Sequence, residues 1–219
     1  MLDSDFTKYI GVADNKSFYE LYEQLDYKKK IAKFLELDYA SYTGKLPQWF
    51  EKYKGKSLTI NYSEDNSSIS LLSVRNIILA KAPNLNNEIL TSPMLLNVKN
   101  VRLINGNYQL NNIPDKLDYL YLENANSNLD ISTFNVKTLS LVITDEYSFD
   151  YNMIDMLKKA IANSNIKKIY LNTDYFPELS TTTVSYFITN MSKLVISALW
   201  YPQSFKQLIT NKMKIKTKK

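Results

Sequence analysis

The sequence predicts an α/β chain in which about seven short parallel strands stack as a solenoid over residues 55–200. A helical cap, residues 1–54, precedes them, and residues 201–219 form a C-terminal cap and basic tail. Three observations carry this prediction. A short apolar-x-x-apolar-x-apolar unit recurs along the chain, the intervals between copies fall in the range of solenoid repeats, and helically spaced apolar residues lie before the copies or inside the longest intervals.

In the N-terminal segment Phe18, Leu21, Tyr22 and Leu25, then Ile31, Phe34 and Leu35, recur at helical spacing. Trp49, Phe50 and Tyr53 follow beyond the breaks at Gly44 and Pro47. Two or three helices here would cover the exposed core edge of the first repeat strand.

The copies are Val74-Arg-Asn-Ile77-Ile-Leu79, Val98-Lys-Asn-Val101-Arg-Leu103 and Leu117-Asp-Tyr-Leu120-Tyr-Leu122. Val136-Lys-Thr-Leu139-Ser-Leu141, Ile166-Lys-Lys-Ile169-Tyr-Leu171 and Met191-Ser-Lys-Leu194-Val-Ile196 continue them. An opening copy, Gly55-Lys-Ser-Leu58-Thr-Ile60, keeps only the last two apolar positions. Side chains two apart on a strand share a face, so Leu120 and Leu122 point inward while Tyr121 points out. A three-residue strand cannot bury its apolar face alone, but stacked strands make one continuous core.

Measured at the second apolar position the steps are 19, 24, 19, 19, 30 and 25 residues. Nineteen residues leave room for an extended or 3₁₀ return. The step of 30 holds Phe149, Met153, Leu157, Ala160 and Ile161, a helical stripe. In the step of 25, Ser180 is the expected N-cap of a helix burying Val184, Phe187 and Ile188.

This unit resembles the leucine-rich repeat, L-x-x-L-x-L, over roughly residues 55–200. The resemblance implies a curved solenoid that holds a protein partner on its concave sheet face. The family's usual turn asparagine, three residues after the last strand leucine, falls here on Gly106, Ala125, Thr144 and Asp174, so the repeats are irregular. A helical stretch before such repeats is also similar to F-box adaptors, through Leu46-Pro47 alone.

The chain has no histidine, no cysteine and four glycines. Imidazole- or thiol-based catalysis, thiolate or imidazole zinc sites and disulfides are thereby excluded, and no phosphate-cradling glycine motif can be written. The remaining acid pairs, Glu64-Asp65, Asp145-Glu146 and Asp3 with Asp5, sit where solvated turns or a terminus are expected. The expectation is a non-enzymatic binding protein with no cofactor and no metal. No run of 18 apolar residues exists and the first residues are acidic, so a soluble intracellular protein, cytoplasmic or nuclear, without a signal peptide or membrane span is expected.

The net charge of +5 is concentrated. The tail from Lys212 to Lys219 holds five lysines, which leaves 22 bases against 22 acids in the rest. Aligning the copies places Lys56, Arg75, Lys99, Asp118, Lys137, Lys167 and Ser192 in one column, five of the seven basic. Lys168 and Lys193 extend it in the next column, and Arg102 in the outward strand column. Stacked strands would set such cations about 4.8 Å apart, a ladder that suits an anionic partner. Tyr119, Tyr121 and Tyr170 would stand exposed on the sheet face as rigid contact residues. The expected partner is a protein; an acidic protein surface or an anionic lipid would suit the ladder. Nucleic acid, gripped by the ladder and the lysine-rich tail, is the alternative.

Overall fold

The computed structural model describes residues 27–44, 46–61, 70–81, 97–105, 117–124, 130–144, 150–203 and 205–207. Phe18, Leu21, Tyr22, Leu25, Gly106, Ala125 and Phe149, the acid pairs named above and the lysine-rich tail lie outside them.

A single all-parallel sheet organises the chain, its strands neighbouring one another in sequence order from β1 to β8. They are β1 (Tyr39–Thr43), β2 (Ser57–Asn61), β3 (Asn76–Ala80) and β4 (Asn100–Ile104). β5 (Leu117–Glu123), β6 (Val136–Ile143), β7 (Lys168–Tyr175) and β8 (Leu194–Trp200) complete it. The register matches the repeat alignment: Leu58, Ile77, Val101, Leu120, Leu139, Ile169 and Leu194 form one row across seven strands, each fully buried. The row two residues on, from Ile60 to Leu171, is equally buried, and Ile196 at the edge is partly so.

Among the described residues the strand count is eight, one more than the repeat unit indicated. β1 lies within the segment expected to be helical, and its Ala40 and Tyr42 pair in register with Leu58 and Ile60. Leu37-Asp-Tyr-Ala40-Ser-Tyr42 follows the unit's spacing with alanine and tyrosine in the two strand positions, which hid it. The opening copy lacks its first apolar residue for a steric reason. A Cβ at Gly55 would clash with the Leu37 carbonyl oxygen and the Tyr53 hydroxyl.

Helices back the sheet where the intervals are long enough. α1 (Tyr27–Leu35) buries Phe34 against Trp49 and Phe50, the latter two stacked at 4.6 Å in the 3₁₀ turn Gln48–Lys52. α2 (Tyr151–Ala162) is capped by Asp150, whose carboxylate accepts from the Met153 amide, and buries Met153, Leu157, Ala160 and Ile161. α3 (Thr181–Thr189) starts at Ser180, whose hydroxyl accepts from the Thr183 amide, and buries Val184, Phe187 and Ile188. The 19-residue step between β5 and β6 returns through the 3₁₀ turn Ile131–Thr133. No helix among the described residues is long and apolar enough to cross a membrane.

At the C-terminal ends of the strands the backbone turns left-handed, at Gly44, Lys81, Asn105 and Asn124. Each of these amides donates to the last turns of the neighbouring strand, as Asn124 does to Val142 at 3.0 Å. Asn124 Nδ2 donates to Asn105 Oδ1 and Thr144 Oγ1, and Asn124 Oδ1 accepts from the Thr144 amide. Asparagine thus satisfies this turn one position before the place the repeat consensus gives it, because asparagine tolerates the positive φ there.

Candidate functional site

One face of the sheet packs on the core, and the other carries the alternating residues. On this open face the middle row runs Ser41, Thr59, Ile78, Arg102, Tyr121, Ser140, Tyr170 and Val195. Its two halves differ in chemistry.

Over β1–β4 the face is a web of hydroxyls and amides. Tyr39 Oη meets Thr59 Oγ1 at 3.0 Å, and Asn61 Nδ2 donates to Ser41 Oγ at 3.2 Å. Asn100 Nδ2 donates to Asn76 Oδ1, and Asn76 Nδ2 to Ser57 Oγ. These groups satisfy one another along the stacking direction.

Over β4–β8 the face carries aromatic and apolar side chains among polar ones, with Ser140 buried between Tyr121 and Tyr170. Tyr119 and Tyr121 share it, their rings 6.5 Å apart, and Tyr170 is 44% exposed. Val195 and Leu199 on β8 are also exposed, Leu199 at 86%. Between the halves sits Arg102, its guanidinium carbon 4.3 Å from the centroid of the Tyr121 ring, a cation–π geometry. The Tyr121 hydroxyl donates to Glu123 Oε2 at 2.5 Å. Burial, helped by the neighbouring Glu123 carboxylate, raises the Tyr121 pKa, and Arg102 opposes the shift.

The basic column does stack at the sheet's leading rim. The Arg75 amide donates to the Lys56 carbonyl, the Lys99 amide to Arg75, and the Lys167 amide to Lys137, each at 2.8 Å. The side chains then diverge in use. Arg75 Nη1 donates to the carbonyls of Leu72, Val74 and Asn97. Lys167 caps the Ser164 carbonyl and Lys168 the Ser192 carbonyl. Lys137 pairs with Asp118 at 2.6 Å, and that ammonium holds the Asp118 carboxyl below the usual range. Lys193 Nζ reaches back to the carbonyls of Ile161 and Asn163, both at 2.6 Å, at the end of α2. Burial, with Lys167 nearby, lowers its pKa although both acceptors favour the charged form. Lys56 and Lys99 are exposed, and neither side chain has a hydrogen bond or ion pair with another described residue.

The structure therefore brings Arg102, Tyr119, Tyr121 and Tyr170 together on one face, with Lys56 and Lys99 along its rim. It directs Arg75, Lys167, Lys168 and Lys193 to backbone carbonyls of the loops. Glu123 and the Asn76–Asn100 web escaped the sequence reading. The signal lay in the columns flanking the outward one, which hold Asn76, Asn100 and Glu123. No protein family, curated protein or solved structure matches the chain.

Proposed function

We propose that the chain is a leucine-rich-repeat-like solenoid serving as a non-enzymatic interaction module, with a protein partner held on the open sheet face. The observation that carries this reading is the aromatic, half-exposed surface over β4–β8, where Tyr119, Tyr121 and Tyr170 stand with Arg102 on one continuous face. Rigid aromatics and arginine are the residues enriched at the energetic centres of interfaces. The repeat unit supports it, since the register of the strands is that of the repeat copies. The absence of histidine and cysteine from the sequence supports binding over chemistry.

Affinity capture from the native source tests the reading, comparing wild type with the pair Tyr121→Ala and Tyr170→Ala. Tyr151→Ala serves as control, since Tyr151 lies on α2, outside the sheet, and is 89% exposed. Loss of a captured protein with the face pair but not with the control supports the assignment. Equal capture by all three sinks it. Nucleic acid as partner would instead give an affinity falling steeply and linearly with log salt.

A further inference from the structure

Arg102 occupies the centre of the open face, in register with Ile78 on β3 and Tyr121 on β5. Its Nε is buried and has no hydrogen-bond partner, alone in this among the side-chain polar atoms of the described residues. A guanidinium does not lose its proton at any ordinary pH, so this N–H cannot be silenced by titration. An orphaned buried donor is costly, more so when charged. Among the described residues, Glu123 on the neighbouring strand accepts the Tyr121 hydroxyl and forms no ion pair with Arg102 within 4.0 Å. Arg102 is thus held over the Tyr121 ring with its buried Nε–H lacking an acceptor among the described residues, and Lys99, at the rim just before the same strand, has no ion pair with a described residue.

Resting on the open-face reading above, we infer that the face takes an extended acidic segment of a partner protein, which places a carboxylate on Arg102. The geometry sets the segment's spacing. From Arg102 on β4 to Tyr170 on β7 is three strand steps, about 14 Å at the usual interstrand distance. An extended chain covers that in about four residues. The segment therefore carries an acidic residue followed about four positions on by an apolar one, which lies against Tyr170. Carboxylate matches the planar fork bidentately. A phosphate backbone fits less well. It needs a run of free cations, and Arg75, Lys137, Lys167, Lys168 and Lys193 are each engaged within the fold.

The test uses the full chain and two blocked peptides, acetyl-Glu-Ser-Thr-Ser-Phe-amide and its glutamine counterpart, followed by nuclear magnetic resonance. The expected result is a shift of the Arg102 Nε–H resonance and of the Tyr170 ring with the glutamate peptide. The glutamine peptide binds about tenfold more weakly, as expected for loss of a charge-assisted pair. Arg102→Lys, which keeps the charge and removes the fork, abolishes most of that preference, and Arg102→Gln abolishes all of it. Equal affinity of the two peptides with shifts at Tyr119, Tyr121 and Tyr170 overturns the acidic assignment and leaves the open-face reading standing. An unmoved Nε–H resonance with both peptides also overturns it, as does a stronger, steeply salt-dependent response to an oligothymidine; capture with the tyrosine variants judges the face independently.

Discussion

Lys193→Met separates a structural cation from a binding one. Lys193 Nζ donates to Ile161 and Asn163 carbonyls at 2.6 Å each, the unsatisfied acceptors at the end of α2. Methionine keeps the stem and removes the head, so packing is largely retained. Two hydrogen bonds to a charged donor contribute roughly 1.5 kcal/mol each and the helix-end charge about 0.5–1 kcal/mol, while burial of the ammonium, which lowers its pKa, offsets about 1 kcal/mol of this. The expected loss is about 2–3 kcal/mol. For a chain of this length that corresponds to roughly a 5–10 °C drop in Tm, at about 2–4 °C per kcal/mol. The assay is urea unfolding followed by circular dichroism, with Lys56→Met beside it. Lys56 has no hydrogen bond or ion pair with a described residue, so its replacement should stay within about 0.5 kcal/mol of wild type. If the two variants are equally stable, the C-terminal cap reading of Lys193 is wrong.

At Asn124, where φ is 48°, Asn124→Gly should be tolerated best and Asn124→Val worst. The expected costs in urea unfolding are about 1 kcal/mol for glycine, from the lost ladder bonds, and about 2–3 kcal/mol for valine, which adds left-handed strain; equal costs would refute this. Asp118, held below its ordinary 3.8 by Lys137, is ionised in folded and unfolded chains alike above that value. Its stabilising contribution is therefore present above pH 3.8 and is lost as pH falls through the lower folded value. Carboxyl titration by nuclear magnetic resonance should show Asp118 returning toward the ordinary value in Lys137→Met, and an unchanged titration would remove the pair as cause.

The register of seven strands was legible because period two is a local rule. Wherever leucine, isoleucine or valine fills positions i and i+2, one face is apolar and the strand can pair in only one way. α2 and α3 were legible for the same kind of reason, and Ser180 marked its helix start through its own side chain. β1 was not legible. Ala40 and Tyr42 are buried or half-buried there because the aromatic cluster of Phe34, Trp49 and Phe50 covers them, a circumstance the local pattern does not contain.

The basic column marks the boundary between the two kinds of information. Its alignment followed from spacing, and the rim hydrogen bonds realise it. Where each cation points depended on which carbonyls the loops left unsatisfied within reach of a long flexible stem. Arg75, Lys167, Lys168 and Lys193 found such acceptors, Lys137 found Asp118, and Lys56 and Lys99 found none among the described residues. The sequence by itself determined the order of seven strands, their inward rows and the outward tyrosines, since these depend on chain geometry and the burial of apolar surface. Only the tertiary structure decided which charges remain for a partner, because a hydrogen bond requires two groups to meet, and residues 30 apart meet only in the fold.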